Sequence, residues 1–167
     1  MARISDKNKS EFQQKILDVR RVARVMAGGR RFSFRVTVVV GNKNGKVGVG
    51  TAKGLDVTES VEKAVRQAKK NMIQVKMNED TIPHDIAFKF KGAKIILKPA
   101  KKGTGIIAGG AVRVVCDMAG IRDISGKIIG RSSNMINNSL AAMGALKSLR
   151  LRKQKTTSEQ PVINNQN

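Results

Sequence analysis

The chain has 167 residues, of which 33 are Lys or Arg and 12 are Asp or Glu, so its formal net charge is +21 at pH 7. At 40% hydrophobic it is too apolar to be simply disordered, and its length suits one medium domain or two small ones with their own cores. No apolar run of about 18 residues and no signal-peptide core are evident, and a single cysteine excludes an internal disulfide framework. We therefore expect a cytoplasmic protein with a polyanionic partner and no membrane association.

Residues 1–10 are polar, and we expect them to form a flexible tail. The following segment, Lys15 to Met26, is ambiguous from its pattern. Val19, Val22 and Met26 suit a helical stripe, whereas Leu17 and Val19 alternate as they would in a strand. The residues alone leave both alternatives open.

The next segment, GGRRFSFRVTVVV from Gly28 to Val40, joins a glycine loop to a predicted strand. The alternation places Ser33, Arg35 and Thr37 on one face. The other face carries the apolar residues Phe32, Phe34, Val36, Val38 and Val40. We interpret both phenylalanines as core residues, because the match to the aromatic motif of RNA-recognition domains is poor and the chain has no Trp or Tyr.

The sequence GNKNG, from Gly41 to Gly45, predicts a hairpin turn, and a return strand follows it. On that strand Gly48 and Gly50 leave one face bare, with room for a helix or an RNA backbone. Asp56 and Glu59 have the spacing of a capping box, which predicts a helix from there to about residue 75. Its expected buried side comprises Val61, Ala64, Val65, Ala68 and Met72.

Residues 78–85 form a polar, acidic link that separates a first unit, residues 11–77, from a second, residues 86–150. The second unit begins with two predicted strands, the second of which ends at Pro99, followed by a glycine-rich turn and a helix capped by Gly120. One further strand and a last helix capped by Asn134 complete it. Residues 151–167 are basic and then polar, and we expect them to be disordered.

Catalytic chemistry has little support in the sequence. Gly103, Gly105 and Ala108 satisfy the spacing of a dinucleotide-binding fingerprint, but too little chain follows for a doubly wound domain. We interpret them as a tight strand-to-helix connection. His84 lies in the polar link and is expected to be solvated, and Cys116 is expected to be an inert core thiol. The sequence predicts no enzyme, cofactor, metal site or small-molecule substrate.

Basic residues, in contrast, concentrate at two glycine loops. Arginines surround the first loop, and Lys98, Lys101 and Lys102 crowd the second. Such loops are expected to bind RNA phosphates, so that recognition depends on backbone and shape rather than on stacked bases. Taken together with the resemblance described next, the predicted RNA-binding residues are Arg20, Arg21, Arg24, Gly28, Gly29, Arg30, Arg31, Lys53, Lys101 and Lys102.

Three segments resemble the ribosomal protein S-five family of bacteria: GGRRFSFRVTVVVG, NGKVGVGTAK with KAVRQAKKNMIQV, and PAKKGTGIIAGGAVRVV. Their order and spacing agree from about Leu17 to Leu149. The resemblance implies an α+β protein, with an N-terminal domain similar to the double-stranded RNA-binding fold (an antiparallel sheet plus one helix). A C-terminal domain of the left-handed β-α-β type follows. It also implies that Lys15 to Met26 is a strand.

The resemblance further implies a non-catalytic constituent of the small ribosomal subunit. Its implied partners are ribosomal RNA, the neighbouring proteins S-four and S-eight, and mRNA near the entry channel. The implied roles are subunit assembly, translational accuracy and the passage of structured mRNA. The implied interface with S-four comprises Gly103, Thr104, Gly105 and Arg113.

The chain departs from the family pattern at two positions. Ala27 stands where the family usually has a lysine before the two glycines, and Met135 stands where many members have a proline. We expect one phosphate contact fewer at the first position and a local change only at the second. Two alternatives to a ribosomal role are a free-standing double-stranded RNA-binding or RNA-chaperone protein and, more remotely, a nucleotide-dependent enzyme built on the GTGIIA turn.

Overall fold

The computed structural model describes residues 11–150, and the two predicted tails lie outside this range. Eleven elements follow one another along the described chain. They are β1 (Gln13–Met26), β2 (Gly29–Gly41), β3 (Lys46–Gly54), α1 (Val57–Lys70), β4 (Ile73–Gln74), β5 (Ile86–Phe90), β6 (Ala93–Pro99), β7 (Ile106–Ile107), α2 (Gly110–Ala119), β8 (Ile124–Ile128) and α3 (Met135–Lys147). The fold is α+β, as predicted.

The first sheet is antiparallel and has the order β1-β2-β3-β4. The ambiguous segment is therefore a strand, as the family resemblance implied, and its helical periodicity is misleading. Strand β1 lies at the edge of the sheet, where only Leu17, Asp18 and Val22 are even half-buried, and this explains why its sequence lacks a clear strand alternation. A strand with so little core contact is under weak selection for alternation.

Strand β2 is buried on both faces over its second half. Val36, Val38 and Val40 pack with Ala64 and Ala68 of α1. On the reverse face, Val39 joins a larger cluster with Val47 and Val49 of β3 and with residues of α2 and α3. The alternation predicted a half-buried strand, and this is wrong from Val36 onward, because the second half of the chain covers the reverse face.

Helix α1 is capped by Asp56 as predicted, since its carboxylate accepts a hydrogen bond from the backbone N–H of Thr58 at 3.2 Å. The predicted buried side is also confirmed. The helix ends at Lys70, however, and not near Val75. Residues 73–74 pair with β3, and the N–H of Val75 donates to Gly45 O at 2.8 Å, so tertiary pairing ends the helix.

The second sheet is mixed, with the order β5-β6-β8-β7. Only the β7–β8 pair is parallel, and α2 connects these two strands in a β-α-β unit. Gly120 ends α2 with φ +88°, and Asn134 caps α3 by accepting from the N–H of Ile136 at 3.0 Å, so both predicted caps are confirmed. Strand β7 was missed because two residues between glycine turns carry no periodicity.

The acidic link is an ordered part of the second half rather than a solvated connection. Asp80 O accepts the N–H groups of Arg122 and Asp123 at 2.9 and 3.0 Å, and Ile82 is buried. His84 is half-buried in this loop, so it is less exposed than the solvated position that was predicted. Its Nε2 accepts from the N–H of Arg150 at 3.2 Å, so Nδ1 carries the proton and donates to the carbonyl of Asp85 at 2.9 Å.

One large hydrophobic cluster contains residues of both halves, which differs from the expectation of a separate core for each half, and a smaller cluster lies between β2 and α1. The turn between β2 and β3 lies against the end of α2. There the N–H groups of Lys43 and Gly45 donate to the carbonyls of Met118 and Ala119 at 3.1 and 2.8 Å. A Cβ added to Gly41 would lie 2.1 Å from Met118 O, so the two backbones touch. The first sheet is consequently fixed relative to the second half.

The bare face at Gly48 and Gly50 is filled by α1 and not by RNA. A Cβ at Gly50 would lie 2.1 Å from Ala64 O and 2.5 Å from the backbone N of Ala68. Neither neighbour is able to move without displacing the helix. Gly50→Ala is therefore expected to lower the free energy of unfolding by about 1–3 kcal/mol or more, measured by urea denaturation.

Gly92→Ala is the matched control for this substitution, because nothing lies within 4 Å of a Cβ added there. It is expected to change the free energy of unfolding by less than about 0.5 kcal/mol. Equal stability of the two variants would contradict the close packing of α1 on β3.

Candidate nucleic-acid interface

The hairpin of β1 and β2 extends beyond the layers that cover the rest of the first sheet. Helix α1 begins beside Phe34, where Ser60 Oγ lies 3.3 Å from Phe34 O, and burial of β2 begins at Val36. From Gly29 to Phe32 the strand is exposed, and so is β1 from Ala23 onward. Gly29, with φ +133°, lies at the turn. Two paired strands thus present both faces to solvent.

One face of this hairpin collects five cations, which we call the basic face. The register places Arg24 opposite Arg31 and Arg20 opposite Arg35, and Arg35 in turn pairs with Lys53. Residues directly opposite have Cβ atoms about 5 Å apart, so like charges here repel one another. The nearest compensating acid is Asp18, whose carboxylate lies 2.6 Å from Nε of Arg20. A cluster of this kind is stabilised by an anion.

A shallow cavity of about 320 Å³ opens on the basic face. It is lined by Val22, Ala23, Arg24, Arg31, Ser33 and Lys53. Its cations come from all three strands of the hairpin region, and β-sheet pairing holds their backbones in place. Such a preorganised site is suited to phosphate oxygens, because guanidinium groups bind them in a bidentate manner.

The opposite face of the hairpin carries Arg21, Arg30, Val25 and Phe32. Phe32 was predicted to be a core residue, and this is wrong: it is 47% exposed, because it lies beyond the beginning of α1. The Arg21 guanidinium lies over its ring, 4.5 Å from the centroid. Val25 is 77% exposed. The predicted arginines are therefore divided between two faces, Arg20, Arg24 and Arg31 on one and Arg21 and Arg30 on the other.

Arg35 was not among the predicted RNA-binding residues, although it lies between Arg20 and Lys53 on the basic face. The alternation along β2 had placed it on the face of Ser33. The alternation alone does not give the strand register. The register places Arg20 of β1 and Lys53 of β3 on either side of Arg35. A pairing prediction for β1, β2 and β3 would have found it.

The second glycine loop, residues 100–105, carries Lys101 and Lys102, both of which are exposed. The loop folds on itself, since the N–H and the hydroxyl of Thr104 both donate to Lys101 O, at 3.1 and 2.7 Å. Gly103 and Gly105 have φ of +88° and +76°, and a Cβ on either would meet nothing within 4 Å. Their conformation, not crowding, requires glycine.

Comparison with known proteins gives the same family for both halves. Residues 12–76 match the model of the ribosomal protein S5 N-terminal domain, and residues 88–159 match that of the C-terminal domain. The small ribosomal subunit protein uS5 of Thermotoga maritima is 48% identical over 139 residues, covering 83% of this chain and 78% of its own. The chain belongs to the ribosomal protein S5 family. The resemblance seen in the sequence is confirmed.

Two further relatives are similarly close. The uS5 proteins of Thermotoga petrophila and Persephonella marina are 49% and 48% identical over 139 and 138 residues. They too match 83% of this chain, and the match covers 78% and 71% of their own lengths. As a member of the ribosomal protein S5 family, the protein is a non-catalytic ribosomal protein, as the sequence predicted.

The GTGIIA turn has no geometry for a dinucleotide. Gly103 and Gly105 precede β7 instead of following a strand into a helix, which is where a phosphate-binding fingerprint places them. The N–H of Gly105 already donates to Asp123 Oδ1 at 2.8 Å. Asp123 is itself buried, so the N–H of Gly105 is taken up by a structural hydrogen bond.

Other candidate groups also have structural positions. Cys116 is fully buried on α2, and burial raises the pKa of its thiol to about 12, so it remains an unreactive core thiol. Arg113 lies exposed on the same helix. Within residues 11–150 no group of three or more His, Cys, Asp or Glu side chains is arranged to hold a metal ion. None of the helices in this range is long and apolar enough to cross a membrane.

At the two departures from the family pattern neither Ala27 nor Met135 has a positive φ. Ala27 lies in the turn between β1 and β2, and Met135 begins α3 with Asn134 as its cap. The Met135 side chain extends to the start of α2, because a Cβ added to Gly110 would lie 3.6 Å from its Cε. The substitution thus places a flexible thioether beside the first turn of α2.

The Asp123 carboxylate holds the second glycine loop against β8. Asp123→Ala is expected to lower the free energy of unfolding by about 1–3 kcal/mol in urea denaturation, because it leaves the half-buried N–H of Gly105 without its acceptor. Hydrogen exchange at the Gly105 amide should accelerate. Asp123→Asn keeps an acceptor oxygen and is expected to recover most of both effects. Unchanged exchange in Asp123→Ala would contradict this anchoring role.

Proposed function

We propose that this protein is a constituent of the small ribosomal subunit that binds ribosomal RNA through the β1–β2 hairpin and the second glycine loop. The observation that carries the proposal is the basic face, where five cations from three strands lie together, four of them exposed and Arg35 half-buried, and where Asp18 is the one acid paired with them among residues 11–150. The relatives are named small ribosomal subunit proteins, which supports the same assembly for this chain.

The binding mechanism that we propose is electrostatic and directed at RNA shape. Arg24, Arg31 and Lys53 contact phosphates on the basic face, while Arg21 and Arg30 meet the RNA on the opposite face. A hairpin with cations on both faces is suited to insertion between RNA segments. Such contacts fix position and orientation and carry no base sequence, so ribosomal RNA is recognised by its folded shape.

The family resemblance supports finer proposals for the second half. We propose that Gly103, Thr104, Gly105 and Arg113 face the neighbouring protein S-four, since the loop is exposed and α2 presents Arg113 to solvent. Contact with S-eight, and roles in translational accuracy and mRNA entry, follow from the same resemblance. Lys101 and Lys102 are then placed to contact RNA beside this protein interface.

Sedimentation tests the assembly directly. A tagged copy is expected to migrate with the small subunit in a sucrose gradient of cell lysate at low magnesium, in stoichiometric amounts that persist through a moderate salt wash. Recovery at the top of the gradient on assorted RNA duplexes would favour the free-standing RNA-binding alternative instead.

Substitution of the hairpin arginines tests the contact surface. Arg30→Ala combined with Arg31→Ala is expected to weaken RNA binding and to reduce the slope of log K against log salt by roughly 0.7–0.9 for each phosphate interaction that the substitutions remove. Filter binding at several salt concentrations measures this. Lys69→Ala with Lys70→Ala, at the end of α1, removes the same charge elsewhere and serves as the control. An unchanged slope in the hairpin variant would exclude that loop as a phosphate site.

A further inference from the structure

The outer face of the second sheet is a second basic surface that the hairpin does not account for. Side chains along its strands alternate between two faces. Ile95 and Leu97 point inward and are buried in the core with α2 and α3. Lys94 and Lys98, which alternate with them on β6, point outward and are exposed. The shared core therefore lies entirely on the inner side of β6.

Four lysines from three adjacent strands lie on this face, which we call the lysine face. They are Lys89 of β5, Lys94 and Lys98 of β6, and Lys127 of β8. Strand register places Lys89 directly opposite Lys94, and Lys127 opposite Ile96. Neighbouring positions are thus roughly 5 Å apart across strands and roughly 7 Å apart along a strand.

The charge of the lysine face is almost uncompensated. Lys98 lies 4.0 Å from a carboxylate oxygen of Asp85, and that pair is largely exposed. Among residues 11–150, no Asp or Glu lies within 4.0 Å of Lys89, Lys94 or Lys127. Two lysines directly opposite on a sheet destabilise it, so the arrangement is unfavourable unless an anion covers the face.

We propose that the lysine face binds the phosphate backbone of a second RNA segment, preferentially a duplex. A protein partner is less well suited, because protein interfaces are depleted in lysine and enriched in aromatic residues and arginine. Exposed lysines on long flexible stems suit phosphate groups, which need charge but no fixed geometry. The flanking Ile107 and Ile129 are exposed singly at the edge, which is ordinary for a protein surface.

This inference extends the proposed function, because the lysine face and the hairpin belong to different sheets. A single chain with two such surfaces is able to hold two RNA segments at once. Since the shared core fixes one sheet relative to the other, the second contact forms at a high effective concentration. The protein would then act as a rigid connection between RNA segments rather than as a binder of one helix.

The test combines Lys89→Gln, Lys94→Gln and Lys127→Gln in the full chain. The probe is an RNA duplex of about 20 base pairs, which is longer than the roughly 16 base pairs that a double-stranded RNA-binding domain covers. The slope of log K against log salt is expected to fall by roughly 2 to 3, which corresponds to the removal of three phosphate interactions. Exposed lysine-to-glutamine changes are expected to preserve the fold, which thermal unfolding checks.

The matched control is Lys69→Gln, Lys70→Gln and Lys76→Gln, three exposed lysines outside the second sheet with the same change in net charge. By the same relation it should alter the slope by less than about 1. An equal fall in both triple variants would show that net charge alone matters and would overturn the proposal. An unchanged slope in the lysine-face variant would also overturn it.

Two comparisons separate this proposal from its alternatives. Lysine acetylation followed by mass spectrometry should show Lys89, Lys94 and Lys127 protected by the duplex but not by polyglutamate. Equal protection by polyglutamate would assign the face to an acidic protein and overturn the proposal. Arg30→Ala with Arg31→Ala should leave the duplex protection in place, so that failure of the hairpin as an RNA site and failure of the lysine face are distinguishable.

Discussion

Burial of β2 on both faces is the constraint on which the rest of the structure depends. Val36 and Val38 pack against α1, whereas Val39 packs against the second half, so a single strand lies in two hydrophobic clusters. The β2–β3 turn is then tied to the end of α2 by backbone hydrogen bonds. These contacts fix the two sheets relative to each other. They also determine where along β2 the cover provided by α1 and the second half ends. The part of β2 from Gly29 to Phe32 is exposed and available to a partner.

The charge distribution becomes understandable from this arrangement. Two rigid layers bury the apolar residues, and the cations collect on surfaces that the layers leave open. Arg24 opposite Arg31, and Lys89 opposite Lys94, are local arrangements that cost stability in the isolated protein. Sequences that oppose their own fold in this way do so where function requires it. A chain of net charge +21 is therefore expected to be most stable when both surfaces meet phosphate.

Much of the fold was predictable because local signals agreed with the tertiary structure. The caps at Asp56, Gly120 and Asn134 depend on backbone groups within one turn, so the sequence was sufficient. Errors occurred where distant contacts decide the outcome. The end of α1 depends on pairing with β3, and the exposure of Phe32 depends on where α1 begins. The strand assignment of β1 needed the family resemblance, because an edge strand with little core contact has no reliable alternation.

The candidate site shows the same division. Composition and glycine spacing identified both loops, but the division of the hairpin arginines between two faces required the register, as did the inclusion of Arg35. The lysine face is a further example, since its residues are scattered from 89 to 127 along the chain and only sheet pairing brings them together. Sequence reasoning finds basic residues that are close together along the chain more readily than those that strand pairing brings together. In a small protein built on two sheets, cross-strand pairing determines which cations lie together, and such groups are recognised only when the pairing is known.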